Sequence, residues 1–108
     1  MDKILTLLGF ASKAGKLSFG MDASCTAIKK SQAQLVITAG DVSEKSRKEI
    51  AFAASKTGVP VITLDNCDME KLSHAVGRKG GIISVNEEGF AQSIIKQIGL
   101  TGGNADDK

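Results

Sequence analysis

Tryptophan and tyrosine are absent from this chain of 108 residues, and phenylalanine occurs four times. So few rings weaken any function that stacks successive single-stranded bases on aromatic platforms. Histidine occurs once, at His74, and no Ser-His-Asp set can be assembled around it from local spacing. The two cysteines, Cys25 and Cys67, stand far apart without a Cys-x-x-Cys pair. With no third or fourth ligand in sight, no metal site is expected. The carboxylates Asp65, Asp68 and Glu70 gather around one turn, where capping by Asp68 explains one of them without catalysis. An apolar run of membrane length and a secretory leader are both missing, so the expectation is a soluble cytoplasmic protein with free thiols. Cys25 is expected to pack in a helix, and Cys67, in a polar Asp-Asn-Cys-Asp turn, to be exposed.

Strong charge of one sign is lacking too. The formal net charge is +2, and without the tail bearing Asp106, Asp107 and Lys108 the first 100 residues carry +3. Net charge alone does not define a nucleic-acid binder; clustering matters more. Lys13 with Lys16, Lys29 with Lys30, Lys45 with Arg47 and Lys48, and Arg78 with Lys79 fall near predicted helix ends or loops.

What is present is an alternation of helical and extended patterns. Ile4, Leu5, Leu7, Leu8 and Ala11 follow helical spacing, predicting a helix over 2–14 that Gly15 stops. Leu17 to Phe19 is a short extended piece. Gly20 and Asp22 open a helix reaching Lys30, with Ala23, Ala27 and Ile28 inward. Leu35 to Thr38 reads as a buried strand. Asp41 and Glu44 have capping-box spacing, predicting Asp41 as the cap of a helix with Ile50, Ala53 and Ala54 inward. Val59 to Leu64 is a second strand of buried type, with Pro60 tolerated near its start. Asp68 caps a helix through Leu72 and Val76, and Ile82 to Val85 forms another strand. The last helix opens at Asn86 to Glu88 and turns Phe90, Ile94, Ile95 and Ile98 inward. Strands without polar alternation need cover on both faces, so the expected architecture is a three-layer α/β/α sandwich. Residues 1–100 are expected to form one domain, and residues 101–108 a disordered tail.

Two segments carry the chemistry. From Leu7 to Gly20 the chain ends a helix, turns on a glycine between lysines and reaches a second glycine at the next helix. Backbone N–H groups at such an entrance suit phosphate. Gly77-Arg78-Lys79-Gly80-Gly81 is a basic, glycine-rich loop. It precedes a strand and lacks the Lys-Ser/Thr helix start, so it fits neither P-loop nor dinucleotide contexts. Should the two segments share one end of the layers, they would grip structured RNA through phosphate and a few base contacts.

The ordered set Leu8-Gly-Phe-Ala-Ser-Lys-Ala-Gly-Lys-Leu17, Gly20, Ala27 to Lys30, Leu35 to Ser43, Val59 to Ile62, Leu72 to Arg78 and Glu88 to Ala91 resembles the YlxQ-type branch of the kink-turn-binding ribosomal protein superfamily. The resemblance covers about residues 4 to 98. It implies an α/β/α sandwich with a four-stranded mixed sheet and RNA binding without catalysis. No cofactor, metal or membrane is implied. The partner it implies is structured RNA, ribosomal RNA or the ribosome among the candidates, and the free protein is expected to be a monomer. The family motif Gly-x-Asn-Glu-x-x-Lys aligns with Gly20 to Thr26; Asp22, Ala23 and Thr26 replace its Asn, Glu and Lys. Site residues on this basis are Lys13, Lys16, Arg78 and Lys79 for phosphate, with Gly20, Met21 and Asp22 facing bases. A protein-interaction module that has lost kink-turn specificity is the alternative.

Overall fold

The computed structural model describes residues 2–101, so the tail expected over 101–108 lies, apart from the backbone of Thr101, outside the described residues. In chain order the elements are α1 (Asp2–Lys13), β1 (Leu17–Phe19), α2 (Met21–Lys29), β2 (Leu35–Ala39), α3 (Glu44–Ser55), β3 (Val61–Leu64), α4 (Met69–Val76), β4 (Ile82–Val85) and α5 (Glu88–Thr101). The strands form one sheet in the order β1-β4-β2-β3. β4 is antiparallel to both β1 and β2, while β2 and β3 run parallel, so the sheet is mixed.

α1 packs against α4 and α5, α2 packs against α3, and both α2 and α5 reach β4. The result is the three-layer α/β/α sandwich that doubly covered strands demand. Its core gathers Leu8 from α1, Ile28 from α2, Leu35 and Ile37 from β2, Ile50 from α3, Leu72 from α4, Ile83 from β4 and Ile94 from α5. Central β2 and β4 are buried along their whole length.

Four expectations are corrected. β3 is an edge strand, with only Leu64 fully buried, because β2 covers one side of it alone. Ala23 is exposed, and Ser24 takes the inward position on α2. Cys67 is 1% exposed, since its backbone carbonyl accepts the Gly40 N–H at 2.8 Å and the turn folds inward. Ser43 caps α3, accepting the Ser46 N–H at 3.1 Å. Asp41 instead accepts the Met69 N–H at 2.8 Å and ties down the start of α4. Asp68 caps α4 as its position predicted, accepting the Lys71 N–H at 2.8 Å.

Candidate RNA interface at the entrance of the second helix

α1 closes in a Schellman turn. Gly15, at φ 72°, donates to the Ser12 carbonyl, and Lys16 donates to that of Ala11; only glycine takes that left-handed position without strain. The turn aims the chain into β1, which runs antiparallel to β4 and delivers Gly20 beside Ile82. There the Gly20 N–H donates to the Ile82 carbonyl at 2.8 Å.

Gly20 caps α2 at φ 91° and ψ 170° and offers no side-chain bond to the first helical turn. The leading N–H groups of an α-helix have no partner within it. At α3 and α4 a side chain accepts one of them; at α2 none does. Met21, Asp22 and Ala23 therefore present a positive backbone end to whatever lies against Gly20.

The Gly77–Gly81 loop lies against it. A Cβ on Gly80 would stand 3.6 Å from the Gly20 nitrogen, so the two glycines abut. The Ser73 hydroxyl accepts the Gly80 N–H at 3.2 Å and donates to its carbonyl at 3.3 Å, pinning the loop to α4. Arg78 places its guanidinium 4.7 Å from the centre of the Phe19 ring. That cation–π contact holds an exposed charge one residue before the helix entrance. Lys79 is exposed on the same loop.

A shallow groove of about 260 Å³ opens at this end, lined by Gly20, Met21, Val42, Ser43, Ser46, Met69, Gly81 and Ile82. Its walls come from the starts of α2, α3 and α4. Met69 and Val42 lie across Gly81, where a Cβ would meet them at 2.5 and 2.7 Å. Two of the lining residues are methionines, adaptable side chains suited to a flat apolar ligand. The sequence held no signal for the part that Val42, Ser46 and Met69 play, because three separate segments bring them together.

Of the residues expected at the site, the structure gathers Gly20, Met21, Asp22, Arg78 and Lys79 at one end of the sheet. Lys16 stands at the other end of β1, about 13 Å along an extended chain from Gly20; its carbonyl accepts the Asn86 N–H at 2.8 Å. Lys13 falls between them. It follows Ser12, whose hydroxyl donates to the Val76 carbonyl at 2.7 Å, and it lines a groove with Phe10 and Ala75.

Burial pushes the thiols of Cys25 and Cys67 above their ordinary pKa, which keeps both in the less reactive protonated form. The Phe90 N–H, then that of Gly89, holds the Glu87 carboxyl below its ordinary value. Among the described residues no group of three or more His, Cys, Asp or Glu side chains is placed to hold a metal. No helix among them is long and apolar enough to cross a membrane.

Fold and site together define an α/β/α sandwich of the ribosomal-protein type, with an open helix entrance beside a glycine-rich basic loop. The model of the Ribosomal protein L7Ae/L30e/S12e/Gadd45 family matches residues 2–95, and the chain belongs to that family. RNA-binding protein YlxQ of Enterococcus faecium is 28% identical over 90 residues, spanning 83% of this chain and 85% of the relative. A solved structure from Bacillus halodurans C, described as a protein with unknown function, superposes with a TM-score of 0.85 at 26% identity, covering 92% of this chain and 99% of that one. The Giardia lamblia 15.5kD RNA binding protein superposes with a TM-score of 0.72 over 89% of this chain and 82% of its own. At 17% identity that likeness speaks to fold alone.

Proposed function

We propose that this chain is a non-enzymatic RNA-binding protein that takes a structured RNA, of kink-turn type, at the entrance of α2. The observation that carries the reading is the contact between Gly20 and Gly80, which joins an uncapped helix N-terminus to the loop bearing Arg78 and Lys79. RNA phosphate suits the free N–H groups and the two cations. The groove walled by Met21, Val42, Met69 and Ile82 takes an unstacked base, with Asp22 next to Met21 on the first turn of α2. Lys13 and Lys16 hold backbone leading away from the groove. Membership of a ribosomal-protein family and likeness to a relative named as RNA-binding support this reading. By the same reading residues 1–100 act as one domain. The protein works in the cytoplasm on ribosomal or similar RNA, is monomeric when free and needs no cofactor.

Filter-binding titrations against a kink-turn RNA and a plain helical RNA test it. Affinity should fall steeply with salt and favour the kink-turn; absence of binding to either RNA at low salt would defeat the proposal. A protein-interaction module on the same fold is favoured by one observation: Asp22, Ala23 and Thr26, none a longer amide, acid or lysine side chain, line the exposed start of α2. Partners that stay bound after nuclease treatment, with no RNA affinity, would establish that alternative.

A further inference from the structure

The two ends of the sheet differ in their acids. Around the groove, Lys45, Lys71, Arg78 and Lys79 share their surroundings with Asp22, Asp41, Asp65 and Asp68, all exposed. The opposite end is assembled by backbone bonds. Asn86 donates to the Lys16 carbonyl, Gln34 to that of Val85, and Val36 to that of Pro60. Gln32 and Ala33 close the end of α2 on Ala27, while Thr57 and Val59 close the end of α3 on Ala54. The last turns of α2 and α3 therefore meet there, beside the first residues of β1, β2 and β3.

Lys29, Lys30 and Lys56 stand at this pole, with Lys16 at its margin, all exposed. The ion pair found among the described residues is Lys48 with Glu44, on α3, so none of these four takes part in it. Carbonyl ends of helices favour a nearby cation, which accounts for part of the lysine content. They do not account for how little acid lies nearby: Glu49, which faces Cys25 as Lys29 does, stands at the margin with Glu87 and Glu88, and the Glu87 carboxylate already accepts backbone N–H groups at the start of α5. Between Lys30 and Lys56 lies a polar groove of about 330 Å³ lined by Ser31, Gln34, Thr57 and Pro60, among others. No aromatic ring lines the groove itself, and the exposed Phe52 nearby is already engaged by the Lys56 ammonium, 4.5 Å from its ring centre. Strands spaced about 4.8 Å apart spread the lysines over roughly 15 Å.

We propose that this pole is a second RNA surface, which holds the phosphate backbone of an RNA helix without reading its bases. It rests on the reading that the groove end binds RNA. The molecule measures 31 × 30 × 25 Å, so the two ends address separate segments and the protein bridges them. The test uses the full chain saturated with a kink-turn RNA trimmed to its core, to which a plain RNA duplex is added. The wild type should retain the duplex in a ternary complex, seen as energy transfer between labels on the two RNAs. Lys29→Gln/Lys30→Gln/Lys56→Gln should keep the kink-turn RNA and lose the duplex at least tenfold. The salt slope for the duplex should fall by about 2–3 on loss of three phosphate contacts. A thermal melt confirms that this exposed triple variant is folded. Failure of the trimmed kink-turn RNA to bind defeats the groove reading; its binding with no duplex retained overturns the second surface. Displacement of the duplex by poly-glutamate at equal charge concentration also overturns it, since the pole would then be a generic anion surface.

Discussion

A methyl group on Gly40 would sit 2.7 Å from the Asp65 carbonyl oxygen and 2.9 Å from that of Leu64, backbone atoms that cannot swing aside. Gly40→Ala should therefore destabilise the protein by about 1–3 kcal/mol, read from the shift of its urea midpoint; an unchanged midpoint would show that the β2 and β3 ends can part freely. Gly20 is constrained for another reason. Nothing crowds its Cβ position, but φ 91° with ψ 170° is backbone that side chains rarely adopt. Both glycines are visible in the sequence, yet Leu64 and Asp65 beside Gly40, and Gly80 beside Gly20, lie far along the chain and are not. Glu87 adds a pH dependence. Its folded pKa lies below the ordinary 4.5, so the stability it contributes is complete above that value and disappears as pH falls through the lower folded value. Glu87→Gln should flatten the acid side of the melting-temperature profile, and an identical profile would contradict this role.

Helix starts show where local patterns mislead. Asp41 and Glu44 have the spacing of a capping box, but Val42 is buried, so the chain first dips into the core and Ser43 becomes the cap. That leaves the Asp41 carboxylate free to cross to α4. Asp41→Ala should thus loosen α4 and not α3, at a cost of about 1 kcal/mol. Amide exchange should quicken at Met69 and Glu70; faster exchange confined to Ser43 and Glu44 would restore the capping-box assignment. Asp68, by contrast, was legible because its bond to Lys71 is local. The strands were legible as apolar runs, but their order was not. An apolar run cannot say that β3 lies at an edge, so Val61 and Ile62 are half-buried where full burial was expected. Cys67 shows the reverse, a buried residue inside a polar stretch, drawn in by the bond between Gly40 and its own carbonyl.

The whole molecule is organised by the ends of its sheet. The entrances of α2, α3 and α4, the glycine contacts and the apolar groove share one end, and Lys16, Lys29, Lys30 and Lys56 share the other. The sequence showed the basic pairs and the glycine-rich segments, and the chain's family was legible from their order. It did not show that β1 parts Lys16 from Gly20, because strand direction is decided by pairing with β4. The acids around the groove and the replaced positions Asp22, Ala23 and Thr26 argue that any base recognition there rests on backbone and groove shape more than on α2 side chains. Binding of structured RNA at the entrance of α2, as proposed, is tested by a two-dimensional amide spectrum of the labelled protein during titration with a kink-turn RNA. The largest shifts should fall at Gly20 to Ala23 and at Gly77 to Gly81, saturating together. Shifts confined to β3 and α4, or none at low salt, would contradict it.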